Sequence, residues 1–146
     1  MSIKISHKKK ISDKTIKNYV LFTNEDFVIS GLKNIYLSKN SAQINKTIKS
    51  NKTKKNDIIS FNLNSDQKII LIKIKKNQTP TENEKKGANF YNFIKSNLLT
   101  NLTFLDKNIY EIQAKNKSFI DEFLHGLQIK SYEFDKYKTK KEIIDI

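Results

Sequence analysis

The chain has 146 residues, a length suited to one domain, with a net charge of +13 and no cysteine. Disulfides, thiolate metal sites and thiol nucleophiles are thereby excluded, and a reducing, cytoplasmic setting is expected. Ile, Leu, Val and Phe make up about 30% of the residues, enough for a lean core, and no apolar run approaches the ~18 residues of a membrane span.

In chain order, Ile3 and Ile5 alternate with polar residues and suggest a short edge strand. Residues 18–23, with Tyr19, Val20, Leu21 and Phe22, form a compact apolar run that reads as a strand. A less regular helical pattern follows over residues 41–50, carried by Ile44 and Ile48. Residues 57–63 and 68–74 are two further strands, joined by Asn64, Ser65, Asp66 and Gln67. That linker is turn chemistry, so the two are a hairpin or neighbouring strands. The unbroken run Ile69, Ile70, Leu71, Ile72 argues burial on both faces, as in a central strand with helices on each side.

A helix is expected over residues 81–97. Pro80 precedes Thr81 and Glu84 follows three residues later, the spacing of a capping box, in which two orphan backbone donors are satisfied reciprocally. Ala88, Tyr91, Ile94 and Leu98 recur at helical spacing, and Phe90 and Phe93 widen the stripe. Residues 102–105 and 109–112 read as strands. A second strong helix starts near Ser118, with Asp121 in the partner position, and buries Phe119, Ile120, Phe123, Leu124 and Leu127. Gly126 lies inside it. A mid-helix glycine costs about 1 kcal/mol relative to alanine, so close packing is the expected reason for it. There are no internal repeats and no long linker. Strands alternating with helices predict a single α/β domain over residues 1–146, three-layered, with a mixed central sheet flanked by helices.

Chemistry-bearing motifs are few. Gly31, Gly87 and Gly126 are the only glycines, and neither a P-loop nor a GxGxxG turn can be built from them. His125 has Asp121 and Glu122 at helical spacing, donor types that suit a metal. The simpler reading is a surface histidine among ordinary acidic neighbours. His7 sits in a basic tail. Two isolated histidines give no triad signature. The carboxylate pairs Glu82 with Glu84 and Asp121 with Glu122 stand at helix starts, where the macrodipole already accounts for acidic residues.

All 28 basic residues are Lys. A basic chain attracts phosphates and acidic surfaces, yet bidentate reading of guanine or phosphate favours the guanidinium fork that is absent here. Richness in Asn and Ile points to an AT-rich coding sequence that replaces Arg with Lys. Both that bias and a functional basic surface stay open. The Lys-rich patches at residues 8–10, 49–55 and 136–141 read first as solvated loops or ends. Near the end of the chain, Lys130, Tyr132, Lys136, Tyr137, Lys138, Lys140 and Lys141 are candidate phosphate or partner contacts, because stacking plus charge can hold single-stranded nucleic acid. The simpler reading has Tyr132 and Phe134 alternating on a segment that packs back on the core.

The same segment carries a resemblance. Gly126-Leu127-Gln128-Ile129-Lys130-Ser131-Tyr132-Glu133-Phe134-Asp135-Lys136-Tyr137-Lys138-Thr139-Lys140-Lys141 resembles the end of the N-terminal domain of leucyl (cytosol) aminopeptidases, where a helix runs into a similar Gly-x-x-x-x-x-Tyr-x-Phe-Asp-x-Tyr-Lys-Thr stretch. A strand like 68–74, a helix like 81–97 and a strand like 102–105 occur there in the same order. The resemblance implies an α/β fold similar to macro domains, placed outside the catalytic domain and contributing to a hexameric assembly. In the family's catalytic domain two divalent metals, Zn or Mn, activate a water that attacks the first peptide bond. No residue of that machinery can be carried over, because its Asn-Thr-Asp-Ala-Glu-Gly-Arg-like metal motif has no match here and the chain has no Arg.

The resemblance therefore implies a non-catalytic assembly or interaction domain, without a cofactor of its own, of an enzyme that removes N-terminal residues from peptides. Its expected partners are an aminopeptidase catalytic domain or further copies of itself, and not a membrane. The alternative is a basic module binding DNA through lysine–phosphate contacts, whose affinity would fall steeply with salt. An unrelated enzyme with an unrecognised site is disfavoured by the shortage of Gly, His, Cys and Arg.

Overall fold

The computed structural model describes residues 2–6, 15–24, 41–51, 57–75, 77–104, 118–135 and 143–146. They form strands β1 (Ser2–Lys4), β2 (Asn18–Thr23), β3 (Ile58–Asn62), β4 (Lys68–Lys73), β5 (Leu102–Phe104) and β6 (Ile143–Asp145), with helices α1 (Ser41–Asn51), α2 (Pro80–Ser96) and α3 (Phe119–Asp135). The chain divides into two compact units. One takes in residues 1–10, 77–102 and 115–146, and the other residues 11–76 and 103–114.

The second of these units holds a mixed sheet in the order β3-β4-β2-β5. β4 runs parallel to β2, with Leu21 opposite Leu71, and antiparallel to β3, with Ile59 opposite Leu71. The residues between β3 and β4 make the pair a hairpin, one of the two arrangements expected for them. Asn64 closes it as an Asx turn, its Oδ1 accepting from the backbone N–H groups of Asp66 and Gln67, each at 2.9 Å. The Gln67 side chain then ties the turn to the start of β2 by donating to the Ile16 carbonyl at 2.9 Å.

Side chains alternate across a strand. Tyr19 and Leu21 of β2 share one face with Ile69 and Leu71 of β4, where Ile16, Ile59, Leu63 and Ile44 of α1 join them in one buried cluster. Val20, Phe22, Ile70 and Ile72 point the other way and are buried too. The expectation of burial on both faces of β4 therefore holds. Phe22 also meets Phe104 of β5, ring centroids 6.0 Å apart.

In the other unit β1 pairs in parallel with β6, Ile3 opposite Ile144. The ladder is extended by Ser6 N–H donating to the Ile146 carbonyl and Ile146 N–H to that of Lys4, both at 3.0 Å. Asn101, just before β5, makes a further bridge to Asp145.

Helix α2 corrects the sequence reading at both ends. The capping box is Thr79 with Glu82, not Thr81 with Glu84. Thr79 Oγ1 accepts from Glu82 N–H at 3.3 Å, and Glu82 Oε2 accepts from Thr79 N–H at 2.8 Å. Pro80 decides the position. A residue before proline is driven to extended backbone, as an N-cap must be, and Thr79 sits at φ −72°, ψ 159°. At the other end Leu98 is not on the buried stripe. It lies beyond the helix with a left-handed φ of 52° and is 79% exposed, while Leu99 is buried in its place. Leu98 N–H donates to the Lys95 carbonyl and Leu99 N–H to that of Ile94, which is a Schellman closure with leucine where glycine is favoured.

Helix α3 begins where Ser118 suggests, the Ser118 carbonyl accepting from Glu122 N–H at 3.0 Å. Phe119, Phe123, Leu124 and Leu127 are buried as expected and Ile120 is half-buried. The strand expected over residues 109–112 lies outside the described residues.

Candidate functional site

Helices α2 and α3 cross at two glycines. Gly87 of α2 faces the backbone of α3, and a Cβ there would collide with the Phe123 carbonyl oxygen and come within 2.9 Å of Leu127 N. Gly126 of α3 faces α2 reciprocally, where a Cβ would collide with the Glu84 carbonyl. Close packing is indeed what Gly126 serves, and Gly87 does the same from the opposite helix. Two of the three glycines are thus committed to a helix crossing rather than to a phosphate-cradling turn.

Polar groups tie the same two helices. Asn83 is fully buried and donates from Nδ2 to Glu122 Oε2 at 2.7 Å, while its Oδ1 accepts from Gln78 Nε2 at 3.1 Å. On the exposed side Glu84 Oε1 lies 2.9 Å from His125 Nδ1. Both of those side chains are substantially solvated, so the pair contributes little to stability. The partner of His125 is Glu84, from the other helix, and not Asp121 or Glu122. Among the described residues no three His, Cys, Asp or Glu side chains gather as a metal site. The donor set required by a two-metal aminopeptidase centre does not fit these residues.

Beside the crossing lies a shallow open groove of about 280 Å³. Ala88, Gly126 and Ile129 give it an apolar lining, and Glu84, Lys85 and Lys130 a charged one, with Thr81 at its edge. Ile129 is 47% exposed. Of the candidate contact residues, Lys130 lines this groove, half-buried. Tyr132 is 77% exposed on α3. The reading in which Tyr132 packs back on the core is therefore wrong. The helix continues to Asp135, and its outer stripe takes in Asp121, His125, Gln128, Ile129 and Tyr132, while Leu127 and Ser131 turn inward. Lys136, Tyr137, Lys138, Lys140 and Lys141 lie outside the described residues. Lys85 was not singled out by sequence, and Ala88 and Ile129 were read only as part of the helical stripe and of the terminal stretch, not as lining a site. The signal that could have found them is the second mid-helix glycine, Gly87, which marks a helix pair rather than one crowded helix.

No family model and no curated protein sequence matches the chain. Solved structures do resemble it. A point mutant of tomato leucine aminopeptidase superposes with a TM-score of 0.61 at 16% identity, over 99% of this chain and 31% of that one, in its N-terminal region. The macrodomain of Thermus aquaticus DarG superposes with a TM-score of 0.54 at 11% identity, over 98% of this chain and 96% of that one. The fold class expected from the sequence, α/β with a mixed sheet and flanking helices similar to macro domains, is shown. The chain spans less than a third of the leucine aminopeptidase. Among the described residues, no helix is long and apolar enough to cross a membrane.

Proposed function

We propose that this chain is a non-catalytic assembly domain of the kind found in the N-terminal region of leucine aminopeptidases, and that it works by packing on a catalytic partner. The observation that carries the reading is the superposition on 31% of the tomato enzyme, which takes in nearly the whole of this chain. Two features of the residues support it. Gly87 and Gly126 sit in a helix crossing, and Glu82, Glu84 and Glu122 of that helix pair are engaged in capping or pairing. The parent activity, removal of N-terminal residues from peptides with two divalent metals, belongs in this reading to the partner. The absence of cysteine supports a cytoplasmic setting for the assembly.

The test mixes the chain with tomato leucine aminopeptidase lacking the superposed region and follows mass by light scattering and leucine release with Mn²⁺ or Zn²⁺. A larger complex, with no leucine release by the chain alone, is the expected result. Leucine release by the chain alone refutes the non-catalytic assignment. If the chain ignores the truncated enzyme but forms a salt-sensitive complex with duplex DNA, the lysines serve phosphate contacts and the assembly role is lost.

A further inference from the structure

Among the described residues, β3 is the outer strand of its sheet and pairs with β4 alone. Hydrogen-bonded and non-hydrogen-bonded pairs alternate along an antiparallel ladder, and two bonds fix the phase of this one. Lys73 N–H donates to the Asp57 carbonyl at 2.8 Å, and Leu63 N–H to that of Gln67 at 2.9 Å. Asp57, Ile59, Phe61 and Leu63 therefore turn their backbone groups toward β4, while Ile58, Ser60 and Asn62 turn theirs outward. Among the described residues nothing pairs with those outward groups. Edge strands are commonly guarded by charge, proline or a bulge. Ile58–Asn62 contains neither a charged residue nor a proline, and its register with β4 runs through five consecutive pairs without a bulge.

This edge is self-complementary. A second copy of β3, laid antiparallel about a two-fold axis at Ser60, sets Ser60 opposite Ser60 and Ile58 opposite Asn62. These are the residues with outward groups, so every unmet N–H finds a C=O of the other copy. A shift of register in either direction leaves some of them unmet. The intervening non-hydrogen-bonded pairs set Phe61 against Ile59 of the second copy, aromatic on β-branched, a favoured cross-strand pair. Ile59 belongs to the buried cluster, and half-buried Phe61 packs at its margin, so the pairing carries the edge of that cluster into the second copy. On the opposite face Ser60 and Asn62 are exposed and present no bulk to the approach. A copy returns the Phe61–Ile59 contact twice, which backbone bonding to an arbitrary strand does not.

We propose that β3 is a self-association edge, through which two copies of this chain join their sheets about a two-fold axis at Ser60. One short strand from each copy makes a small interface, so the dimer is weak and forms at high chain concentration. The +13 charge of each copy opposes the encounter and salt screens it, so the pairing strengthens as salt rises. A lysine–phosphate complex would weaken instead. The proposal goes beyond the aminopeptidase reading and does not depend on it.

The experiment is sedimentation of the full chain from micromolar to millimolar concentration, at low and high salt. A monomer should give way to a dimer, more readily at high salt. Ser60→Lys brings two like charges together at the axis and should weaken the dimer at least about tenfold. Ser60→Glu should do the same, and an equimolar mixture of the two variants should dimerise again. Ser60 is exposed, so both variants should keep the wild-type circular dichroism spectrum. Because the chain has no cysteine, Ser60→Cys introduces a lone thiol. In a hydrogen-bonded pair the two Cα atoms lie about 5.5 Å apart, within disulfide reach, so mild oxidation should yield a covalent dimer. Ser65→Cys, in the exposed hairpin turn, should cross-link far more slowly. A chain that stays monomeric at millimolar concentration overturns the proposal. So do a dimer indifferent to either charge, mixed variants that stay apart, or equal cross-linking at positions 60 and 65. Mass growing past two copies also overturns it, since that means open-ended strand addition. The aminopeptidase reading is decided separately, by whether the truncated enzyme takes up the monomeric Ser60→Lys chain.

Discussion

Leu71 of the sheet unit and Gly87 of the helix-pair unit are both buried, but one contributes by its bulk and the other by having none. Around Leu71 the chain supplies branched and aromatic side chains from β2, β4 and α1, and the hydrophobic effect does the work. Around Gly87 the backbones of two helices approach so closely that no side chain fits, and a buried amide, Asn83, spans them. The difference teaches where each unit is vulnerable: the first to removal of atoms, the second to their addition.

Three substitutions test that contrast, taken from the largest effect down. Leu71→Ala empties a fully buried site and should destabilise by about 3–4 kcal/mol, read from urea unfolding followed by circular dichroism. A loss below about 1 kcal/mol would mean that the cluster on that face of β4 is not a packed core. Gly87→Ala should destabilise by about 2 kcal/mol, because the new Cβ meets the Phe123 backbone, which cannot swing aside as a flexible side chain can. In an ordinary helix the same change would stabilise by about 1 kcal/mol, so the sign of the measured difference decides whether the close crossing is real. Leu98→Gly should stabilise by about 0.5–1 kcal/mol, since glycine takes the left-handed φ of 52° without strain and removes an exposed leucine. A destabilised Leu98→Gly protein would show that this leucine contributes packing that outweighs its backbone strain.

The same contrast governs what could be read in advance. The sheet unit was legible because its signals are local and additive. The run from Ile69 to Ile72 marks an interior strand, and Asn64 followed by Ser65, Asp66 and Gln67 marks the turn beside it. The helix pair was legible only in outline. Thr79 and Thr81 each have a glutamate three residues later, so the capping pattern occurs twice, and only the restriction that Pro80 places on Thr79 separates them. Glu84, freed from that role, pairs instead with His125, 41 positions away in the chain. The groove has the same origin. Lys85 and Ile129 share a lining only because two glycines in different helices find each other, and no local periodicity encodes that meeting. Tyr132 was misread for a related reason: alternation with Phe134 imitates a strand, while the continuing helix turns the tyrosine to solvent.

The parallel pairing of β1 with β6 has a mechanical consequence. In a parallel ladder the entry to the first strand and the exit from the last lie at opposite ends of the paired segment, Ser2 beside Ile143 and Lys4 beside Asp145. Tension drawn through the two ends of the chain therefore loads the hydrogen bonds of the pair together, in shear, instead of peeling them one after another as it would in an antiparallel pair. A pull on β1 and β6 from those opposite ends is resisted by all the hydrogen bonds of the pair at once.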